Sequence, residues 1–332
     1  FWLKWPVCAV TAVMCCGVRG CALSLAVFFA AAASLPFFLR VEYPVNKSGI
    51  VIITGTSSGI GKAAAYRLAS DGYQVYAGVR SEKDGSKLRS GAPSAAGDRI
   101  EPVILDVTNS SHIRAVIHKV AAADQPLVAV VNNAGLSPKK PLETSPLSDV
   151  RWSFDVMYFG VLDLIQQAIP LLRQSRGRII VVGSVSGIVT LPMGGTYSSI
   201  KYATEAMSDA LRLELGPARI SVSMVNPAYV NTAITGRALE QMHQDEFDTK
   251  FYSALFEKVQ RKARDRVWAS PCCAVTDDAI AHAVQDPYPM TRYYPAVVAP
   301  SVPAIAAVPV IKLLSIHPVL DRASDWIKAT LL

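Results

Sequence analysis

Between Cys21 and Cys272 the 332-residue chain has no cysteine at all. Four of its six cysteines (Cys8, Cys15, Cys16, Cys21) lie near the start, and the other two, Cys272 and Cys273, are adjacent. That distribution argues against a disulfide framework and suits a reducing compartment. Metal-ligand spacing is missing as well. Neither the cysteines nor the five histidines (His112, His118, His243, His282, His317) recur at intervals that close on a metal, so none is expected. The formal net charge of +7 is mild for this length, and its basic residues are scattered. With no Lys/Arg block interleaved with aromatics, nucleic acid drops out as a partner. The glycosylation triplets Asn46-Lys47-Ser48 and Asn109-Ser110-Ser111 are short enough to arise by chance.

What the chain has in excess is apolar surface. Hydrophobic residues make up 51% of it, and the mean hydropathy is +0.28, high for a soluble enzyme. Much of that excess sits in residues 1–40. Trp5 to Val18 is apolar up to Arg19, and Cys21 to Leu39 is an uncharged run of 19 residues closed by Arg40. A helix needs about 20 such residues to span a bilayer. We read 1–40 as an apolar leader, acting as membrane anchor or targeting segment; a hydrophobic arm packed on a partner is the plainer alternative. Lys4 and Arg19 on one side balance Arg40 and Lys47 on the other, so charge does not orient the run.

From Lys47 the pattern alternates strand and helix. Strands are predicted at Ile50 to Thr54, Gln74 to Val79, Ile100 to Leu105, Leu127 to Val131, Arg178 to Val182 and Arg219 to Val225. Helices are predicted at Lys62 to Ser70, His112 to Ala123, Val150 to Leu172 and Tyr197 to Leu215. The short β-branched strands and the alternation predict one α/β domain over 47–299, a doubly wound, Rossmann-type parallel sheet. An apolar C-terminal extension follows over 300–332.

The residues able to do chemistry fall just after these strands. Gly55-Thr56-Ser57-Ser58-Gly59-Ile60-Gly61 follows the first strand and opens a helix. Its glycines let backbone N–H groups approach a pyrophosphate at the positive end of that helix. Asn132-Asn133-Ala134-Gly135 follows the fourth strand, and Ser184 follows the fifth. Tyr197 and Lys201 lie four residues apart, on one helix face. A free phenol titrates near about 10, and a cation beside it would lower that value toward working pH. Ser184 would hydrogen-bond the same substrate oxygen. A Tyr-x-x-x-Lys pair alone is weak, since it arises often by chance; the upstream glycine loop gives it context.

Together, the G-x-x-x-G-x-G loop, the NNAG turn and the Ser, Tyr and Lys resemble the short-chain dehydrogenase/reductase family, over roughly Lys47 to Val298. The resemblance implies catalytic Ser184, Tyr197 and Lys201, with Tyr197 as acid/base and Lys201 also holding the nicotinamide ribose. It implies a cofactor site of Gly55, Ser57, Ser58, Gly59, Ile60, Gly61, Asp106, Val107, Asn132, Tyr197, Lys201, Pro227, Val230 and Thr232. Asp106 would meet the adenine, and Pro227 to Thr232 would cup the nicotinamide, with Ala228 where the family has glycine. Arg80 stands at the end of the second strand, where an acid would exclude a 2′-phosphate, and so points to NADP(H) ahead of NAD(H). One departure stands out. The long helix carries Met157-Tyr158-Phe159-Gly160 where the family has N-x-x-G, whose Asn supports a water linking the lysine to solvent. A thioether is a poor hydrogen-bond partner, so that proton route is expected to be rerouted, slowed or absent.

Residues 233–283 lie where the family places its substrate cover. Phe247, Phe251, Tyr252, Leu255, Phe256 and Val259 recur at helical spacing, and Arg237 and His243 are the partners there for an anionic substrate. Downstream, Pro289 to Pro295 leads into strand-like Ala296 to Ala299, resembling the retinol, 17β-hydroxysteroid and 3-hydroxybutyrate dehydrogenase branch. Val302 to Ile316 is apolar but broken by prolines, suited to lying on a membrane or capping the site. The expected activity is hydride transfer between NADP(H) and a hydrophobic alcohol, ketone or aldehyde. The alternatives are a hydroxy-acid dehydrogenase and a membrane-tethered dinucleotide-binding protein with little catalysis. Expected partners are a small hydrophobic substrate and an intracellular membrane such as the endoplasmic reticulum; a homo-oligomer is compatible.

Overall fold

The computed structural model describes residues 41–228, 230, 252, 257–259, 261, 273–295, 297–299 and 302–303. The leader (1–40), Thr232, Arg237, His243, most of the substrate-cover helix and residues 304–316 lie outside the described residues. The chain divides between Glu42 and Tyr43 into two compact units, and all the described strands and helices belong to the second.

Its strands are β1 (Ile50–Ile53), β2 (Gln74–Val79), β3 (Ile100–Ile104), β4 (Leu127–Asn132), β5 (Arg178–Val182), β6 (Ser221–Val225) and β7 (Arg292–Tyr293). They form one sheet in the order β3-β2-β1-β4-β5-β6-β7, with every pairing parallel. The helices are α1 (Gly59–Ser70), α2 (Glu82–Ser90), α3 (Ser110–Ala121), α4 (Leu147–Phe154), α5 (Gly160–Ser175), α6 (Gly195–Leu215) and α7 (Ala274–Gln285). Parallel strands are buried on both faces, and side chains alternate between two cores. Val51 and Ile53 of β1 pack with Ala64 and Leu68 of α1 and Ile280 of α7. Ile50 and Ile52 pack instead with Leu164 and Ile165 of α5 and Met207 of α6. The strand order reverses direction between β1 and β4, and ligands of such sheets bind at that point, outside the carboxyl ends.

Several boundaries move. The predicted single helix over 150–172 begins at Leu147 and is interrupted by a π turn, Asp155–Phe159. The last strand of the main sheet is Arg292–Tyr293, not 296–299. Val297–Ala299 pairs antiparallel with Val302–Pro303 in a separate ribbon. Helix α2 was not predicted, because Glu82 to Ser90 is short and almost wholly polar; Ser81 caps it by accepting the Asp84 amide at 3.2 Å. Asn109 of the second glycosylation triplet likewise caps α3, its Oδ1 accepting the Ser111 amide at 2.9 Å.

Among the described residues, Leu147–Ser175 is the one helical stretch long and apolar enough to cross a membrane. Its apolar face (Val161, Leu164, Ile165, Ala168, Leu172) is buried against the sheet, which accounts for its hydropathy without a bilayer.

Candidate active site

The glycine loop is built from the carboxyl end of β1. Gly55 and Gly59 have φ of +70° and +59°, a region that disfavours any side chain. Gly61 needs its bare Cα for a different reason: a Cβ there would fall 2.3 Å from Asn133 Nδ2 and 2.4 Å from the Gly55 carbonyl. The loop is tied to the NNAG turn by Thr54. Its hydroxyl oxygen accepts the Asn133 and Ala134 amides, both at 2.9 Å. In return Asn133 Nδ2 donates to the carbonyls of Thr54 (2.9 Å) and Gly55 (3.1 Å). Ser58 stands at the N-cap of α1 without a side-chain cap bond, which leaves that helix's first N–H groups facing the loop for an anion. Ser57 is exposed, and Ser58 and Ile60 are partly exposed at its rim.

These residues fit a dinucleotide. Asn132 is 2% exposed, and both polar atoms of its amide lack a hydrogen-bond partner among the described residues. Asp106, two residues past β3, has a carboxyl that burial alone would push up. Hydrogen bonds to Oδ1 from the Thr108 amide (3.0 Å) and hydroxyl (2.7 Å), with Arg80 and His112 nearby, outweigh that and hold it below its usual value. Oδ2 has no hydrogen-bond partner among the described residues. Val107 is buried beside Met157 and Ile200, and its carbonyl passes so close to α5 that a Cβ on Gly160 would sit 2.5 Å away. Arg80 is exposed just past β2. Asp84 is engaged by the Ser81 hydroxyl at 2.8 Å, and among the described residues no carboxylate pairs with Arg80.

At the other end of the cleft, Ser184 follows β5 and Tyr197 occupies the first turn of α6. The Ser184 oxygen accepts the Ser186 amide at 3.1 Å, leaving its own proton for the Tyr197 oxygen. Burial raises the Tyr197 phenol, and the Ser184 hydrogen bond opposes that rise. The expected lowering by Lys201 is thus not seen in this state. Lys201 is 7% exposed, donates to the Val182 carbonyl at 2.8 Å, and has its own pKa brought down to about 8 by burial. Its Nζ lies 5.6 Å from the centre of the Tyr197 ring. Tyr197 itself keeps some exposed surface, so a substrate oxygen can reach it.

The segment beyond β6 closes beside this cluster. The Pro227 carbonyl accepts the Val185 amide at 3.1 Å, and Val230 is buried. Ala228 is not among the residues with positive φ, so replacing glycine there costs no strain. Met157, 1% exposed, sits in the middle of the π turn. Its sulfur accepts the Leu136 amide at 3.3 Å, and its side chain belongs to the cluster against which Tyr197 packs.

Three features were not read from the sequence. Thr54 and Asn133 are ordinary polar residues until the fold brings β1 beside β4. The π turn over Asp155–Phe159 has no sequence mark. Lys139, four residues beyond the NNAG turn, places its Nζ 5.2 Å from the Tyr197 ring centre, so two ammonium groups flank one phenol ring. Two successive lysines, Lys139 and Lys140, between Pro138 and Pro141 were the available signal.

Similarity to known proteins agrees with this geometry. The family described as short chain dehydrogenase matches residues 49–243. Over 262 residues the chain is 33% identical to retinol dehydrogenase 16 of Homo sapiens, covering 73% of this chain and 79% of that one. A Thermococcus sibiricus alcohol dehydrogenase solved with 5-hydroxy-NADP is 29% identical, with TM-score 0.50 over 55% of this chain and 77% of its own. A short chain dehydrogenase/reductase from Burkholderia phymatum solved with NAD is 25% identical, with TM-score 0.60 over 75% and 88%.

Proposed function

The chain belongs to the short-chain dehydrogenase/reductase family, an oxidoreductase family that uses a nicotinamide dinucleotide, and on that premise we propose that it interconverts a hydrophobic alcohol with its ketone or aldehyde, using NADP(H). The carrying observation is the Ser184, Tyr197 and Lys201 cluster, with Tyr197 partly open to solvent, which lies on the carboxyl-end side of the same sheet that carries the glycine loop. When bound, the nicotinamide supplies or accepts the hydride. Ser184 and Tyr197 hold the substrate oxygen between two hydroxyls, and Tyr197 gives or takes its proton. Lys201, fixed by the Val182 carbonyl, keeps positive charge beside the phenol. That charge counteracts the burial that raises it once the site is assembled. The relative named retinol dehydrogenase 16 and the apolar positions of the substrate-cover segment support a lipid-like substrate.

Tyr197→Phe removes one oxygen and keeps the ring. Turnover of retinoid or steroid carbonyls should fall by three orders of magnitude or more, with cofactor affinity nearly unchanged. Retention of activity within a few-fold would remove Tyr197 from the chemistry. The weakly catalytic alternative draws its support from Met157, and measurable turnover by the native chain would end it.

We further infer that residues 1–40 tether the enzyme to an intracellular membrane, because Cys21 to Leu39 is uncharged and near spanning length. The full chain should stay in the membrane pellet after carbonate washing, and a version lacking 1–40 should be largely released. A full chain that is released as readily would overturn the tether.

A further inference from the structure

Glu205 is a carboxylate that the chemistry above does not use. It lies on α6 at 8% exposure, and with Tyr197 and Lys201 it completes a four-residue spacing that places all three on one helix face. Both of its oxygens are held. Oε1 accepts the side-chain amide of Asn226, a fully buried residue just past β6. Oε2 accepts Arg292 Nε of β7 at 2.8 Å. Arg292 in turn gives Nη2 to Asp209, one turn further along α6, at 2.7 Å. One guanidinium therefore bridges two carboxylates of α6, one buried and one half-exposed.

Three pieces of the site converge on the Glu205 carboxylate. Gly187 closes the turn that follows Ser184, and a Cβ there would stand 2.9 Å from the Lys201 carbonyl and 3.2 Å from Glu205 Cγ. Gly183, just before Ser184, lies so close to Asn226 that a Cβ would fall 2.0 Å from its Oδ1. Asn226 also leads into Pro227, whose carbonyl accepts the Val185 amide at 3.1 Å. The Ser184 turn, the Tyr197–Lys201 face and the segment after β6 thus share one anchor. A buried ion pair is a poor source of stability, since packed apolar side chains of similar volume often serve as well or better. What it provides here is direction, because hydrogen bonds from two fixed donors restrict the carboxylate to one position. Asp209 supplies the comparison: it meets the same guanidinium from the exposed side, where an ion pair contributes little.

We propose that Glu205 is a positioning residue for the reaction: clamped between Asn226 and Arg292, it holds Tyr197 and Lys201 in register with Ser184 and with the segment that begins at Pro227. This rests on the oxidoreductase reading of the site and adds the device that keeps its parts aligned. The carboxylate acts through its neighbours and not on the reacting atoms.

The test compares the native full chain with Glu205→Asp, Arg292→Lys and Asp209→Asn, using a retinoid or steroid carbonyl as substrate and NADPH as the spectroscopic probe. Glu205→Asp keeps the charge and draws it back by one methylene, about 1.5 Å. Arg292→Lys keeps the charge but cannot bridge two carboxylates. Each should lower kcat at least tenfold, leave KM and NADPH affinity within threefold, and at least halve the fluorescence enhancement of bound NADPH, which reports the surroundings of the nicotinamide. Asp209→Asn should keep both kcat and that enhancement within twofold. Thermal melts confirm folding, and Arg292→Lys carries the test if Glu205→Asp does not fold. Native kcat and native NADPH fluorescence in a folded Glu205→Asp or Arg292→Lys, a loss confined to KM, or an equal loss in Asp209→Asn would each overturn the positioning role. Failure of the oxidoreductase reading looks different: Tyr197→Phe would retain turnover while NADPH fluorescence still dropped in Glu205→Asp.

Discussion

Among single residues, Arg80 has the role most open to a direct test. It stands exposed at the end of β2, where the sheet places the adenosine ribose. Its two acidic neighbours in sequence leave it free for that role: Asp84 is held by Ser81, and Glu82 forms the first turn of α2. A guanidinium on a phosphate contributes about 1.5–3 kcal/mol, and about 1.4 kcal/mol is a factor of ten. Arg80→Ala should therefore weaken NADPH binding by about ten- to a hundredfold and leave NADH binding within about threefold. Fluorescence titration with both reduced cofactors reads this directly. Native protein that prefers NADH, or a variant that keeps its NADPH affinity, would assign the ribose contact elsewhere. Arg178 illustrates the opposite fate of a basic residue. It is 2% exposed and spends its donors on the carbonyls of Ala283, Asp286 and Pro44, a tie between β5 and its surroundings with no hand left for a ligand.

Among the elements, the π turn between α4 and α5 bears most on function. It is closed by the Gly160 amide on the Asp155 carbonyl, one residue wider than an α-helical turn, and such turns recur at functional sites. Widening pushes Met157 toward the NNAG loop, where its sulfur takes the Leu136 amide. A thioether accepts weakly and cannot donate, so it cannot hold a water between Lys201 and solvent. Met157→Asn restores an amide able to do both. We expect kcat to rise several-fold, together with a stability loss of about 1–3 kcal/mol from burying a polar group in a pocket shaped for sulfur. Steady-state kinetics and a melting curve measure the two halves separately. A kcat that stays level or drops would mean that protons already leave by another path.

Over the whole molecule, the two lysines beside the Tyr197 ring leave a signature in the pH dependence of folding. Lys139 and Lys201 have folded pKa values of about 8, against about 10.4 in an unfolded chain. Between those values the unfolded state binds more protons, so stability rises with pH. Above about 10 the sign reverses, because burial raises Tyr197 and brings Tyr293 to about 12, and the unfolded phenols lose protons first. The cofactor-free chain should thus gain melting temperature from pH 8 toward pH 10 and lose it beyond. Lys201→Met should flatten the rising limb, and a native curve already flat there would sink the account. Much of this molecule was legible without coordinates. Gln74–Val79 and Arg178–Val182 were placed to the residue, because short β-branched runs bounded by turn residues have few other uses. The glycine loop and the Tyr–Lys pair were legible because each depends on contiguous backbone or on one helix face. Local spacing alone determined those. The remaining features rest on contacts between segments far apart in the chain, which no periodicity encodes. Thr54 meets Asn133 across 79 positions because β1 and β4 are neighbours in the sheet. Lys139 reaches the phenol of Tyr197 because the loop after β4 folds over the start of α6. Tertiary structure decided which cations stand beside the phenol, and burial in that structure is what shifts their protons.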